Sequence, residues 1–367
     1  MSVRNDVLSV LNGQKPERIP WLGDLDYWYK AQIKNGVLPE KYQDKGIFKM
    51  HRDLGVGFYL QGYFPFKPVY EGVNVVETED EKWRIVEVTT PIGQLRSLRK
   101  YSWDSHSWGL VERLVKDWRD LKILRYLYAH TFYLPDYNLA NARYELIGDE
   151  GVVVGYPPRT PFMQLVAMDA GIETVIRCIM EAPEEFEQTI HVMEKKYDQA
   201  SELVLASPVE VIEMPENISS EVVGKKFFDK YLLDIYSRWN SRIKAAGKYS
   251  GIHFDGTLKG LIREISATGF TFLEAVTPAP VGNISFEDLL NWVEKDTILW
   301  GGIPGGYFSE IEKSDDQFDS FVIDLLAIIK LHPSRYILGV SDQVVPGSRW
   351  ERIKRVKTLV EKFGKIA

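Results

Sequence analysis

The stretch YSGIHFDGTLKGLIREISATGFTFLEAV, residues 249–276, indicates the fold class. In it, an apolar run at 249–255 and a second at 270–276 flank a helical pattern. Continuous apolar runs of this length are typical of strands that are buried on both faces. Two such strands with a helix between them indicate parallel pairing, because parallel neighbours need a crossover connection.

The same unit recurs along the whole chain. Short apolar runs followed by helical patterns predict strands at residues 18–23, 56–61, 151–156, 209–214, 249–255, 270–276, 297–303 and 336–341. Eight strands alternating with helices predict a closed (β/α)8 barrel, or TIM barrel, of the α/β class. Ser285 and Ser314 precede two of the helical patterns, at 286–293 and up to Leu331, and both are suitable helix-starting residues.

One segment, at about residues 66–110, departs from this alternation. Between Tyr70 and Tyr101 apolar and polar residues alternate with a period of two, and turn-forming residues lie at 78–81 and 90–93. This pattern predicts a small antiparallel β-meander inserted after the second strand. Since the sequence has no internal repeat and no linker, we predict a single domain over residues 1–367.

The composition argues against several classes of protein. The chain has 367 residues, 45% of them apolar, which suffices for one large core. A net charge of −7 argues against a nucleic-acid partner. The single cysteine, Cys178, excludes intrachain disulfides and a thiolate metal site. No apolar run reaches the ~18 residues of a membrane span, and the first residues lack a signal-peptide pattern, so we expect a cytoplasmic protein without a membrane partner.

Polar residues at the carboxyl ends of the predicted strands are the candidate catalytic residues, because barrel enzymes place their chemistry there. His253 and Asp255 are two positions apart and should face the same side of their strand. Glu274 interrupts the next apolar run, and Asp342 follows the last strand. A buried carboxylate must be paired, protonated or metal-bound. These four residues predict a metal site or a general acid–base cluster; the alternative is a polar network that only stabilises the barrel.

Other strand ends offer side chains for substrate binding. They are Trp21 and Asp24 at the first strand, Tyr156 at the third, and Glu213, Glu216 and Asn217 at the fourth. Each fits a binding role or ordinary loop structure. The residues alone leave open which of the last three reaches the pocket.

Several segments carry a resemblance to a known family. They are Arg4 with the run LNGQKPERIP at 11–20, His253-Phe254-Asp255-Gly256, Gly301-Gly302-Ile303-Pro304, and Leu338-Gly339-Val340-Ser341-Asp342 followed by Pro346. Over essentially its whole length the chain resembles the uroporphyrinogen decarboxylase superfamily. That superfamily includes tetrapyrrole decarboxylases and methyltransferases that work with corrinoid proteins.

Within the superfamily, the chain is more similar to the corrinoid-dependent methyltransferases. True decarboxylases carry an arginine-rich segment after the first strand, which binds the carboxylates of the tetrapyrrole. Here residues 21–29 contain two acids, Asp24 and Asp26, and no arginine. Asp342 also stands where the decarboxylases have a histidine.

The methyltransferase resemblance implies a metal site. Matched to the family pattern, it consists of His253, Asp255 in place of a first cysteine, Glu274, and Asp342 in place of a second. The implied cofactors are zinc or another divalent metal, and a corrinoid supplied by a partner protein. Carboxylate ligands make an ion a harder Lewis acid than thiolates do, and such an ion suits an oxygen better than a thiol.

These observations lead to one hypothesis and two alternatives. We expect a methyltransferase that moves a methyl group from an oxygen-bearing small molecule to a corrinoid protein. The donor would be a methyl ether such as a methoxylated aromatic, with Trp21 and Tyr156 holding its apolar body. The alternatives are a decarboxylase or lyase that acts on a carboxylic acid, and a non-catalytic protein that binds a tetrapyrrole or corrinoid.

Overall fold

Parallel strands form the centre of the molecule. The structure, a computed structural model, describes residues 2–43, 46–59, 61–309, 311 and 313–366. Within these residues the strands are β1 (Trp21–Leu22), β2 (Phe66–Tyr70), β3 (Asn74–Glu79), β4 (Trp83–Thr90), β5 (Gly93–Ser102), β6 (Ser107–Glu112), β7 (Thr131–Pro135), β8 (Val154–Gly155), β9 (Val211–Met214), β10 (Tyr249–His253), β11 (Phe272–Val276), β12 (Ile298–Pro304) and β13 (Tyr336–Ser341).

Helices follow most of the parallel strands. They are α1 (Val3–Leu11), α2 (Asp26–Lys34), α3 (Glu40–Gln43), α4 (Gly46–Leu54), α5 (Leu121–Ala129), α6 (Asn138–Ile147), α7 (Pro161–Met163), α8 (Ile172–Glu181), α9 (Pro183–Ala206), α10 (Ser220–Tyr231), α11 (Leu233–Ala245), α12 (Ile262–Ala267), α13 (Asp315–Leu331) and α14 (Trp350–Phe363). No helix in the part of the chain that the structure describes is long and apolar enough to cross a membrane.

The central sheet has seven strands in the order β1-β13-β12-β11-β10-β9-β8. All of its pairs are parallel. From β8 to β13 the neighbours in the sheet are also neighbours in the chain, because each crossover returns the chain to the adjacent position. The sequence pattern therefore predicted the α/β class and the parallel pairing correctly.

The predicted second strand, at 56–61, is not a regular strand over the described part of that range. Gly57 forms an isolated parallel bridge with Leu22, and Phe58 forms another with Gly151. Both bridges lie between the first and third predicted strands, where a barrel would close. Leu60 lies outside the described residues. The structure thus has a seven-stranded parallel sheet with two bridges, and full closure as an eight-stranded barrel stays a prediction.

The predicted antiparallel meander is present, but the segment predicted for it is divided between two separate sheets. Strands β3, β4, β5 and β6 form a four-stranded antiparallel sheet. Strand β2 does not belong to it and pairs instead with β7 in a separate two-stranded sheet. This second sheet was missed because its strands are separated by about sixty residues, and local periodicity carries no information on such distant pairing.

Alternation along the parallel strands separates the two faces of the sheet. Val211 of β9 and Phe272 of β11 pack in one cluster with side chains of α1. The next residues, Ile212 and Leu273, belong to other clusters, which include the helices outside the sheet. Since successive side chains of a strand point to opposite faces, a polar residue two positions after Val211 or Phe272 shares its inner face.

One of the two predicted helix starts is confirmed and the other is wrong. Ser314 caps α13, where its hydroxyl and the side chain of Gln317 form a capping box. After Ser285 only a short 3₁₀ turn forms, Leu289–Asn291. The Ser285 hydroxyl donates to Asp288 Oδ2 at 2.7 Å and accepts the Asp288 N–H at 3.3 Å. Such local bonds favour a turn over a continuous helix.

Candidate active site at the carboxyl ends of the parallel strands

Three neighbouring strands bring a histidine and two glutamates together. Glu213 lies on β9, His253 is the last residue of β10, and Glu274 lies on β11. The β10–β11 register pairs His253 directly with Glu274, and the β9–β10 register pairs Glu213 with Gly251. Glu213 follows Val211 by two positions and Glu274 follows Phe272 by two, so both carboxylates lie on the inner face of the sheet.

Gly251 makes this arrangement possible. A Cβ at Gly251 would lie 2.0 Å from Cζ of Phe272. The missing side chain therefore leaves room for the Phe272 ring beneath the polar residues. The ring and its apolar neighbours separate the carboxylates from water on that side, which increases the electrostatic effect of every charge in the cluster.

His253 and Glu274 form a close ion pair. The Nδ1 atom of His253 donates to Oε2 of Glu274 at 2.6 Å. Nε2 of the same ring lies 3.8 Å from Oδ1 of Asp342 and is free to face the cavity. Burial by itself lowers the pKa of His253, but the carboxylate of Glu274, with smaller contributions from Asp255 and Glu213, raises it to about 10. The imidazole is therefore protonated at neutral pH, with one N–H available to a ligand.

Glu213 lies beside this pair and is itself completely buried. The hydroxyl of Tyr156 donates to its Oε2 at 3.5 Å. Burial first, and then the neighbouring charge of Glu274, raise the pKa of Glu213 well above its ordinary range. Two carboxylates in a dry site are not both ionised unless a further cation joins them.

The cluster has the composition of a site for a divalent cation. Glu213, His253 and Glu274 each offer one ligand atom, and these atoms lie within 4.8 Å of one another. Oε1 of Glu274 is buried without a hydrogen-bond partner among the described residues. Two carboxylate oxygens and one imidazole nitrogen suit zinc or another divalent metal. The residues therefore fit the metal that the family resemblance implies.

The three clustered residues differ from the four predicted ligands. Glu213, predicted to bind substrate, is in the cluster, whereas Asp255 and Asp342 are not. Strand β10 ends at His253, so the two-residue alternation that was expected to align Asp255 with His253 does not extend to it. Asp255 is half-buried, and burial raises its pKa. The side chain of Asp342 is 48% exposed, and it lies at the rim beside the free edge of His253.

The predicted substrate-binding residues have different surroundings. Tyr156 and Asn217 line a cavity of about 260 Å³ together with Glu213, His253 and Asp342. Asp24 lines an adjoining cavity of about 490 Å³. Trp21 packs in the hydrophobic core and is 4% exposed. Glu216 points away from both cavities and binds Thr160 and Tyr236.

Several lining residues were missed from the sequence, and four of them lie close together in the chain. Gln61 and Gly62 line both cavities, Tyr59 lines the larger and Phe64 the smaller. Tyr59 and Gln61 lie at the end of the predicted second strand, so the strand-end argument applied to the other strands would have found them. Gly62 and Phe64 lie in the loop beyond it, for which the sequence offers no comparable signal.

Comparisons with known proteins bear on the fold. No family model matches the chain, and no curated protein matches it in sequence. Among solved structures, a methyltransferase from Methanosarcina mazei superposes on it with a TM-score of 0.63 and 12% sequence identity, over 99% of both chains. At that identity the similarity establishes a shared fold.

Two further solved structures are much less similar. The spore cortex-lytic enzyme SleL of Bacillus megaterium has a TM-score of 0.32 and 9% identity, and covers 67% of this chain and 70% of its own. A dipeptide epimerase from Methylococcus capsulatus has a TM-score of 0.26 and 12% identity, and covers 80% of this chain and 79% of its own. Similarity at this level supports no functional comparison.

Proposed function

We propose that this protein is a methyltransferase of the corrinoid-dependent branch of the uroporphyrinogen decarboxylase superfamily, and that its fold closes as a (β/α)8 barrel. It would take a methyl group from the oxygen of a small methyl ether, such as a methoxylated aromatic, and transfer it to the corrinoid of a separate protein. The observation that carries the proposal is the contact between His253 and Glu274 in the lining of an open cavity. The shared fold with a methyltransferase supports it.

The chemistry of ether cleavage explains why such a cluster would be needed. The bond between the methyl carbon and the ether oxygen breaks, and its electron pair stays on the oxygen. The new bond to the methyl carbon takes its electron pair from the reduced cobalt of the acceptor. An alkoxide or phenolate is a poor leaving group, so a proton donor at the oxygen lowers the barrier. Such donors typically raise the rate by about 10²–10⁴-fold.

His253 is the residue we assign to that proton. Its Nδ1 is bound to Glu274, which leaves the Nε2–H for the departing oxygen. Asp342, at 3.8 Å from Nε2, would keep the imidazole oriented toward the cavity until substrate displaces it. Tyr156 and Phe64, whose ring centroids are 5.8 Å apart, form an aromatic wall suitable for the apolar body of the donor.

The same residues offer a place for a divalent metal. Glu213, His253 and Glu274 would hold it, and Asp342 lies close enough to the cluster to act as a rim carboxylate. A bound ion would supply Lewis acidity toward the ether oxygen. Either form of the site polarises the leaving group, so His253 is essential in both.

Methyl transfer and metal content together test the proposal. Purified protein is mixed with reduced cobalamin and a panel of methoxylated aromatics, and methyl transfer is followed by the absorbance change of the cobalamin. Elemental analysis measures the metal content of the wild type and of the variants His253→Ala and Asp342→Ala. We expect transfer from at least one donor, and its loss in His253→Ala. Transfer from no donor by folded protein, or product formation from a carboxylic acid without cobalamin, would contradict the proposal.

A further inference from the structure

The larger cavity next to the His253 cluster has no role in the chemistry described so far. Its volume is about 490 Å³, and its lining includes Asp24, Tyr59 and His51. Gln61 and Gly62 line both this cavity and the smaller one that contains His253. The two cavities are therefore adjoining compartments of one site, and a substrate whose methyl group reaches His253 would place the rest of its structure in the larger compartment.

Asp24 is a carboxylate in this compartment without a cation to balance it. Its Oδ1 accepts the backbone N–H of Asp26 at 2.7 Å. No described residue forms an ion pair with it, although its neighbour Asp26 is paired with Lys30. Although part of its surface is open to the cavity, burial raises its pKa to about 7, and the nearby carboxylates of Asp26 and Asp342 add to this effect.

His51 and Arg143 line the same compartment as Asp24. His51 is 6% exposed and its Nδ1 lacks a hydrogen-bond partner among the described residues. Burial lowers the pKa of His51 to about 4, so it is neutral and adds no positive charge. The guanidinium of Arg143 donates to the carbonyl of Gln61 at 2.9 Å and lies 5.4 Å from the centroid of the Tyr63 ring.

The two compartments together are acidic. Their linings carry the carboxylates of Asp24 and Asp342, whereas burial beside Glu274 favours the protonated form of Glu213 and His253 balances Glu274. Arg143 is the positive group that opposes these two carboxylates, since Asp26 and Lys30 neutralise each other. Such a lining favours a positive ligand and disfavours an anion.

We propose that the methyl donor carries a protonated amine, which binds Asp24 in the larger compartment while the methoxy group lies at His253. This inference rests on the proposed function, because it names the substrate class of the same site. The ammonium group would supply the counter-charge that Asp24 lacks and displace the water around it. Donors with a carboxylate in the same position would be rejected.

Three probes that differ in a single group test the inference. Methoxyphenethylamine is positive at neutral pH, methoxyphenethyl alcohol is neutral and methoxyphenylacetate is negative. Their equilibrium binding to the protein is measured by calorimetry, and methyl transfer from each to reduced cobalamin is measured separately. We expect the amine to bind about tenfold more tightly than the alcohol, as for a charge-assisted hydrogen bond, and the acetate to bind most weakly.

Two substitutions test whether Asp24 is the source of the preference for the amine over the alcohol. Asp24→Asn keeps an oxygen for the Asp26 N–H and removes the charge, so the ratio between amine and alcohol should fall to about one. Asp149→Asn removes an equal charge from an exposed side chain outside both cavity linings and should retain the ratio. Thermal unfolding confirms that each variant is folded.

The outcomes separate this inference from the proposed function. A tenfold amine preference that depends on Asp24 supports the inference even if none of the probes donates a methyl group, in which case the proposed function alone is contradicted. Equal binding of the three probes, tighter binding of the acetate, or an amine preference that survives Asp24→Asn would overturn the inference.

Discussion

Glu216 and Glu274 are both completely buried carboxylates near the carboxyl ends of parallel strands, but their partners differ. Glu216 accepts three hydrogen bonds, from the backbone N–H of Thr160 at 2.9 Å, the hydroxyl of Thr160 at 2.7 Å and the hydroxyl of Tyr236 at 3.2 Å. Glu274 binds one residue, His253, through one oxygen. Its other oxygen has no hydrogen-bond partner within the described ranges.

The comparison shows that two similar buried acids have different surroundings. Neutral donors around Glu216 replace the water it lost, so it can fix the loop after β9 without taking part in chemistry. Glu274 depends on a protonated histidine, and that histidine has a free N–H at the cavity. An incompletely satisfied charge next to a titratable group is characteristic of functional sites.

The largest expected effect is on catalysis. It should come from substitution of Glu274, whose second oxygen has no hydrogen-bond partner among the described residues. In Glu274→Gln the carboxylate that holds the imidazolium is gone, so the pKa of His253 falls and the proton donor is lost at neutral pH. We expect the rate of methyl transfer to reduced cobalamin to drop by about 100-fold or more. A rate within about threefold of the wild type, in a variant shown by circular dichroism to be folded, would contradict the role of the His253–Glu274 pair.

Substitution of Glu216, which accepts three hydrogen bonds, should instead affect the stability of the fold. Glu216→Ala leaves the three donors from Thr160 and Tyr236 unpaired and opens a cavity, so we expect the free energy of unfolding to fall by about 3 kcal/mol. Urea denaturation of the wild type and the variant measures this change in the free energy of unfolding.

Glu216→Gln is the control for that experiment. Its amide oxygen can accept the Thr160 N–H, and its amide nitrogen can donate to the two hydroxyls, whose hydrogens rotate. We expect its free energy of unfolding to lie within about 1 kcal/mol of the wild type. Equal destabilisation by both substitutions would mean that charge, and not hydrogen bonding, makes Glu216 stabilising.

A third buried carboxylate, Asp169, lies between these extremes, and its effect on stability should depend on pH. It accepts bonds from Gln164 Nε2 at 2.9 Å and from the Tyr128 hydroxyl at 3.3 Å, but burial still raises its pKa from 3.8 to about 6. Between these two values the folded protein holds a proton that the unfolded chain has released. Stability therefore falls as the pH rises through this window, by about 3 kcal/mol.

Asp169→Asn removes this pH dependence. Denaturant unfolding at several pH values across the window, for the wild type and the variant, should give a difference in free energy of unfolding that changes with pH. As the pH rises, the free energy of unfolding of the variant should increase relative to that of the wild type. A constant difference would show that Asp169 has its ordinary pKa in the folded protein.

Much of the fold was predictable because it depends on local patterns. The last strand, 336–341, was predicted to the residue, and β9 to β12 within two residues at each end. Their continuous apolar runs are the signal of burial on both faces. The first and third strands shrank to two residues each, and the segment at 56–61 was reduced to bridges, because strand length there depends on pairing partners and not on hydropathy.

The candidate site was predictable in part. The strand-end argument brought out His253 and Glu274, which the structure places 2.6 Å apart, and also Asp24 and Tyr156, which line the cavities. Their catalytic and binding roles stay predictions. The same argument predicted that Trp21 contacts the apolar part of the substrate, but its side chain points from the strand into the hydrophobic core.

The order of residues determined the alternation of strands and helices, the parallel sheet and the set of acids available at its carboxyl edge, because periodicity and strand ends are local properties. The tertiary structure alone decided how those acids are arranged. Register across β9, β10 and β11 placed Glu213 in the cluster in preference to Asp255, and packing against Thr160 and Tyr236 turned Glu216 away. Register and packing are set by contacts between segments distant in the chain, such as Phe272 in the space left by Gly251, and no local pattern encodes them.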